Sequence, residues 1–159
     1  MGLLTSLFVS KERAIAKALY TYYCSPQFQE EFEQRLRVIT NKFEAQPRFK
    51  EQCVIFRCVL IDYILQTQLK ATRILDSFTE LRKEYVVTNN NAVLYYHRAA
   101  QLAQYTDSAT NIGFLFTNNI LKEKDTKVAI FITAEFLTMS KEIKELINFN
   151  IRQKEAVCR

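Results

Sequence analysis

The sequence predicts an all-α fold, an antiparallel bundle of four to five helices with one long coiled-coil-like helix over about residues 48–86. Three observations carry this expectation. Only two glycines and two prolines occur in 159 residues, far below the usual share of about 7% and 5%, so tight hairpins and left-handed turns have almost nothing to be built from. Apolar residues recur at spacings of three and four, the repeat of an amphipathic helix rather than of a strand. Hydrophobic residues make up 48% of the chain and charged residues 25%, a globular composition that leaves no need for disorder.

Each helix can be placed in turn. Residues 1–9 are an apolar opening, expected to be flexible or membrane-proximal. Ser10 is suited to cap a first helix ending near Tyr23, with Ile15, Ala18, Leu19 and Tyr22 on one face. Ser25-Pro26 is a sharper start signal: the hydroxyl accepts from a free first-turn amide, while proline lacks one to satisfy. The stripe Phe28, Phe32, Leu36, Ile39 and Phe43 then carries a second helix. Pro47 biases Gln46 away from helical geometry and opens the third.

That third helix predicts the spine of the bundle. Phe49, Cys53, Phe56, Leu60, Tyr63, Thr67, Ala71, Ile74, Phe78, Leu81 and Tyr85 alternate spacings of four and three, with one lapse where two fours meet at Thr67. Thr67 in this seam either specifies a partner or register, or bonds back to the carbonyl of Tyr63 while its methyl packs. Asn89, Asn90 and Asn91 suit a turn. A fourth helix follows over about 92–122 with a seam of Tyr95, Ala99, Leu102, Thr106, Ala109, Ile112, Phe116 and Ile120. Its small residues, Ala99, Ala103, Ala109 and Gly113, invite close approach by a neighbour such as the third helix. Asp125 or Thr126 caps a last helix whose apolar face is Val128, Ile132, Phe136, Met139, Ile143 and Leu146, widened by Phe131, Ile147 and Ile151. Residues 152–159 are expected to fray. No repeat or linker divides the chain, which reads as one helical domain over 1–159.

Function is narrowed mainly by exclusion. His97 is the only histidine, so no two-histidine metal site can form within the chain, and it reads as a polar face residue. Cys24, Cys53, Cys58 and Cys158 lack zinc spacing. Cys53 and Cys58 stand about 140° apart on a helix, which disfavours a disulfide between them. Cys53 is expected to pack as a small apolar residue and the other three to be free thiols. Glycine-rich phosphate loops are absent. The expectation is therefore a protein that is not an enzyme, with no catalytic, metal or cofactor residues to name and no small-molecule substrate.

What remains is a surface for partners. The leading expectation is a non-enzymatic interaction or assembly protein, a scaffold or complex subunit that binds a protein partner or itself. Thr67 and the polar stretch around Tyr105, Asp107, Asn111, Asn118 and Asn119 are the candidate contact residues, because tyrosine and asparagine supply area and hydrogen bonds but are mediocre helix formers. The same stretch is equally readable as a helix bend near Asp107. A second reading is a peripheral membrane protein: Met1-Gly2-Leu3-Leu4-Thr5-Ser6 fits the pattern for myristoylation of Gly2, with Lys11, Arg13 and Lys17 against anionic lipid as the second anchor. A third is helical nucleic-acid binding. The net charge of +5 argues against it, being interleaved with acids as in Lys141, Glu142, Lys144 and Glu145 rather than clustered. The expected location is cytoplasmic, with a membrane periphery and then the mitochondrion as alternatives.

Overall fold

The computed structural model describes residues 10–88, 91–103 and 109–157. Among them are seven α-helices and no strand: α1 (Lys11–Tyr23), α2 (Pro26–Arg37), α3 (Phe49–Tyr63), α4 (Thr72–Thr88), α5 (Ala92–Ala103), α6 (Ala109–Phe116) and α7 (Thr126–Val157). The all-α class stands as expected. None of these helices is long and apolar enough to cross a membrane.

Local signals set several boundaries. The Ser10 hydroxyl accepts from the Arg13 amide at 3.2 Å and opens α1. Ser25 accepts from Phe28 N at 3.1 Å ahead of Pro26 in the first turn of α2, and Asp125 accepts from Val128 N at 3.1 Å to open α7. Gln46 is extended, at φ −86° and ψ 121°, as a residue before proline should be. Pro47 nevertheless does not start α3; it stands in a turn, and Arg48 caps the helix at φ 56° with no side-chain bond to its first amides.

The single helix expected over about 48–86 is two. At the lapse in the seam, Ile64–Gln68 widen into a π turn, which accommodates one extra residue per turn. Leu69 N then bonds to Ile64 O at 3.0 Å and Ala71 N to Leu65 O at 2.8 Å, around Lys70 at φ 49°. The chain is thereby redirected into α4. The seam survives the break, since Phe49, Cys53, Phe56, Leu60, Ile74 and Phe78 are all buried.

Two smaller expectations are corrected. The apolar stripe of α2 outlasts its helix, because α2 ends at Arg37 and Phe43 reaches the core from a 3-10 turn over Lys42–Ala45, stacking on Phe49 with ring centroids 4.7 Å apart. The buried face of α1 is Ile15, Ala16, Leu19 and Tyr23, with Ala18 and Tyr22 exposed instead. α7 extends through Val157. The region expected to bend near Asp107 lies outside the described residues.

The core is arranged around α3, whose residues from Cys53 to Asp62 are all buried. α1, α2, α4 and α5 pack on α3, α1 pairs closely with α4, and α6 with α7. Phe116, at the end of α6, is the aromatic hub: Phe56, Phe32 and Phe49 lie 5.3, 6.2 and 6.4 Å away, all edge-on, the arrangement ring quadrupoles favour. Gly113 makes the closest helix approach. A Cβ there would stand 2.0 Å from the Ala129 carbonyl oxygen, so at Gly113 the small-residue seam receives α7, while α5, which carries Ala99, packs on α3 as expected.

Candidate functional site

Those sequence-selected residues that are among the described ones stand in different settings. Thr67 is exposed on the π turn, and its hydroxyl donates to the Tyr63 carbonyl at 2.6 Å, the back-bonded arrangement. Asn118 is exposed and Asn111 half-buried on α6. Asn119 is used internally: its amide donates to Leu115 O at 3.0 Å, its Oδ1 accepts from Gln101 at 2.8 Å, and its carbonyl accepts from Arg98 at 2.8 Å. Gly2, Tyr105 and Asp107 lie outside the described residues. His97 is exposed.

The polar chemistry is concentrated where sequence reasoning did not look, on α3. Arg57 is 4% exposed and has no acid within 4.0 Å among the described residues. Its Nε donates to the Tyr23 carbonyl at 2.7 Å and Nη2 to Gln29 Oε1 at 2.6 Å. Gln29 in turn donates to the buried Glu33 at 2.8 Å, so an amide relays between a guanidinium and a carboxylate. The rings of Phe28 and Phe32 lie 5.0 and 5.6 Å from the guanidinium carbon, offering cation–π attraction in place of lost hydration. Nη1 finds no hydrogen-bond partner among the described residues. Burial lowers the Arg57 pKa from its ordinary value.

Three thiols share the electrostatic neighbourhood of this cation. Cys53 is fully buried, and desolvation pushes its thiol up to about 12, which makes it inert. Cys24 closes α1 and its sulfur lies 3.6 Å from that of Cys58, at the centre of α3. Hydrogen bonding from Cys58 favours the Cys24 thiolate over the opposing effect of burial, and the Arg57 charge adds to it. Cys58 is driven the other way, first by its bond to Cys24 and then by burial.

One turn further along α3, Asp62 holds a second buried cluster. The Tyr95 hydroxyl donates to Asp62 Oδ2, Arg82 Nε stands 2.8 Å from the same oxygen, and the Arg82 guanidinium lies 4.2 Å over the Tyr95 ring. Desolvation raises the Asp62 pKa against the effect of Arg82. Arg98 forms a third knot, donating to Gln101 at 2.7 Å and Gln52 at 3.2 Å besides Asn119. These clusters join α3 to α2, α4, α5 and the segment after α6.

The outward surface carries a different feature. α7 buries Val128, Ile132, Phe136, Met139, Ile143 and Ile147. On its opposite side Ile130 is 64% and Leu137 53% exposed, with exposed Ala134 between them. The spacing is four and three, that of a helix-packing seam. Beyond Leu137 the same side continues into exposed Lys141 and Lys144. Comparison of the chain with protein-family models, with curated proteins and with solved structures finds no match.

Proposed function

We propose that the protein is a non-enzymatic helical interaction or assembly subunit, and that the outer side of α7 supplies the contact. The observation that supports this reading is the stripe Ile130, Ala134 and Leu137. A surface helix normally has one apolar stripe, facing its own core. α7 has two, and the outer one repeats with the period at which a second helix packs. Its continuation into Lys141 and Lys144 fits a partner helix with apolar residues at the same spacing and acids at one end, an arrangement that would set its direction.

The buried clusters fit the same reading. Their arginines donate mostly to carbonyls and amides of the chain itself, which ties helices to one another rather than presenting groups to a substrate. The experiment is light scattering on the full chain, with photo-crosslinking from position 134 and recovery of bound partners. The expected result is an oligomer or a stable hetero-complex crosslinked through α7, lost in the Ile130→Lys, Leu137→Lys double variant while helix content is kept. A strict monomer with no partner, or a complex indifferent to both substitutions, overturns the reading.

A further inference from the structure

Cys24 and Cys58 are 34 positions apart in sequence and 3.6 Å apart at sulfur. A disulfide needs about 2.05 Å, so closure requires each sulfur to move by less than 1 Å. The two cysteines are differently placed to do this. Cys58 is fixed within the buried middle of α3, whereas Cys24 is the half-buried residue at the corner where α1 gives way to α2. Arg57, adjacent to Cys58, holds the carbonyl of Tyr23, adjacent to Cys24, at 2.7 Å. The backbone beside Cys24 is thus tied to the side chain next to Cys58 by one hydrogen bond, and the charge of the same guanidinium favours a thiolate at Cys24.

We infer that Cys24 and Cys58 are a peroxide-responsive thiol pair, a site of reversible disulfide formation that staples the α1–α2 corner to the centre of α3. Cys24 is the attacking group because it is the less buried of the pair and because its thiolate is favoured by Cys58 and Arg57. Its sulfur attacks one oxygen of hydrogen peroxide; the O–O bond breaks, an S–O bond forms, and the departing hydroxide takes a proton to become water. Cys24 is then a sulfenic acid. Cys58 gives up its proton and attacks that sulfur; the S–S bond forms, the S–O bond breaks, and a second water leaves. Two thiols lose two electrons in all, and one peroxide gains them. Cys53 takes no part, being fully buried with its thiol raised to about 12.

The test uses the full chain with one equivalent of hydrogen peroxide, followed by intact mass and peptide mapping without reductant. The expected result is a loss of 2 Da, a crosslinked peptide joining Cys24 to Cys58, a rise in Tm of about 10 °C, and reversal of all three by dithiothreitol. In Cys58→Ser, dimedone should label Cys24 at least tenfold faster than it labels Cys58 in Cys24→Ser. If Cys58→Ser does not fold, the map of the unaltered chain decides. The inference is overturned if the folded chain gives no Cys24–Cys58 peptide, if oxidation stops at overoxidised Cys24, or if the only linkages are between molecules.

Discussion

Two residues show how burial turns an ordinary side chain into a constraint. Arg57 lies in the run Cys53–Ile61, which is apolar except for this one charge. A helix apolar all round is buried all round, so the sequence carried a signal that the charge would be internal. Its partners, Gln29 and the Tyr23 carbonyl, were not legible, because they come from other helices and from the backbone. The proximity of Cys24 to Cys58 was hidden for the same reason. Gly113 was legible as a close approach, though not which helix approaches. Its substitution gives a sharp expectation. In Gly113→Ala the new Cβ would meet the Ala129 carbonyl carbon at 2.6 Å and the Thr133 hydroxyl at 2.7 Å as well as the Ala129 oxygen, so backbone must move on α6 or α7. The gain in helix propensity, about 1 kcal/mol, is smaller than the overpacking penalty. Urea denaturation should show a net loss of about 2 kcal/mol, and an unchanged midpoint would mean that the two helices separate freely.

Helix ends were legible where a side chain or a proline makes them, as at Ser10, Ser25 and Asp125, and illegible where the backbone makes them. α3 and α6 terminate alike. Each runs into a π turn, over Ile64–Gln68 and Thr117–Leu121, and then a lysine at positive φ, 49° at Lys70 and 61° at Lys122. The amide after each lysine reaches back six residues, Ala71 to Leu65 and Glu123 to Thr117, at 2.8 and 3.1 Å. This is a glycine-type C-terminal stop, widened by one residue, in a chain with almost no glycine. The breaker count therefore predicted helix content correctly and the continuity of the third helix wrongly. An L residue in that conformation costs about 1–2 kcal/mol, and glycine gives back about 0.5–1 kcal/mol through its unfolded-state freedom. Lys70→Gly and Lys122→Gly should each stabilise by roughly 0.5–1 kcal/mol on these terms. Lys144→Gly, at an exposed position within α7, should destabilise by about 1 kcal/mol. Chemical denaturation of the three variants reads the opposite signs directly; the same sign for all would remove the account of the stops.

For the molecule as a whole, the fold class was legible because periodicity and composition act on every segment alike, while the polar interior depends on which helices meet. That interior couples stability to pH. Glu135 on α7 is half-buried and 2.8 Å from Arg35 of α2. Burial raises its pKa above the ordinary 4.5, Arg35 pulling the other way without cancelling the effect. The folded state then binds this proton more tightly than the unfolded chain. The contribution to stability is fully present below pH 4.5 and is lost as pH rises through the raised folded value. Glutamine at this position has no proton to lose. Glu135→Gln should match the unaltered protein near pH 4 and become progressively the more stable of the two toward pH 7, because only the carboxylate must be held charged in a half-buried site. Comparing the two proteins at each pH cancels the repulsion that a chain of net charge +5 accumulates on acidification. The measurement is the difference in Tm across this range. A difference that stays flat, or that favours the carboxylate at neutral pH, would show that the Arg35 ion pair outweighs the desolvation of Glu135.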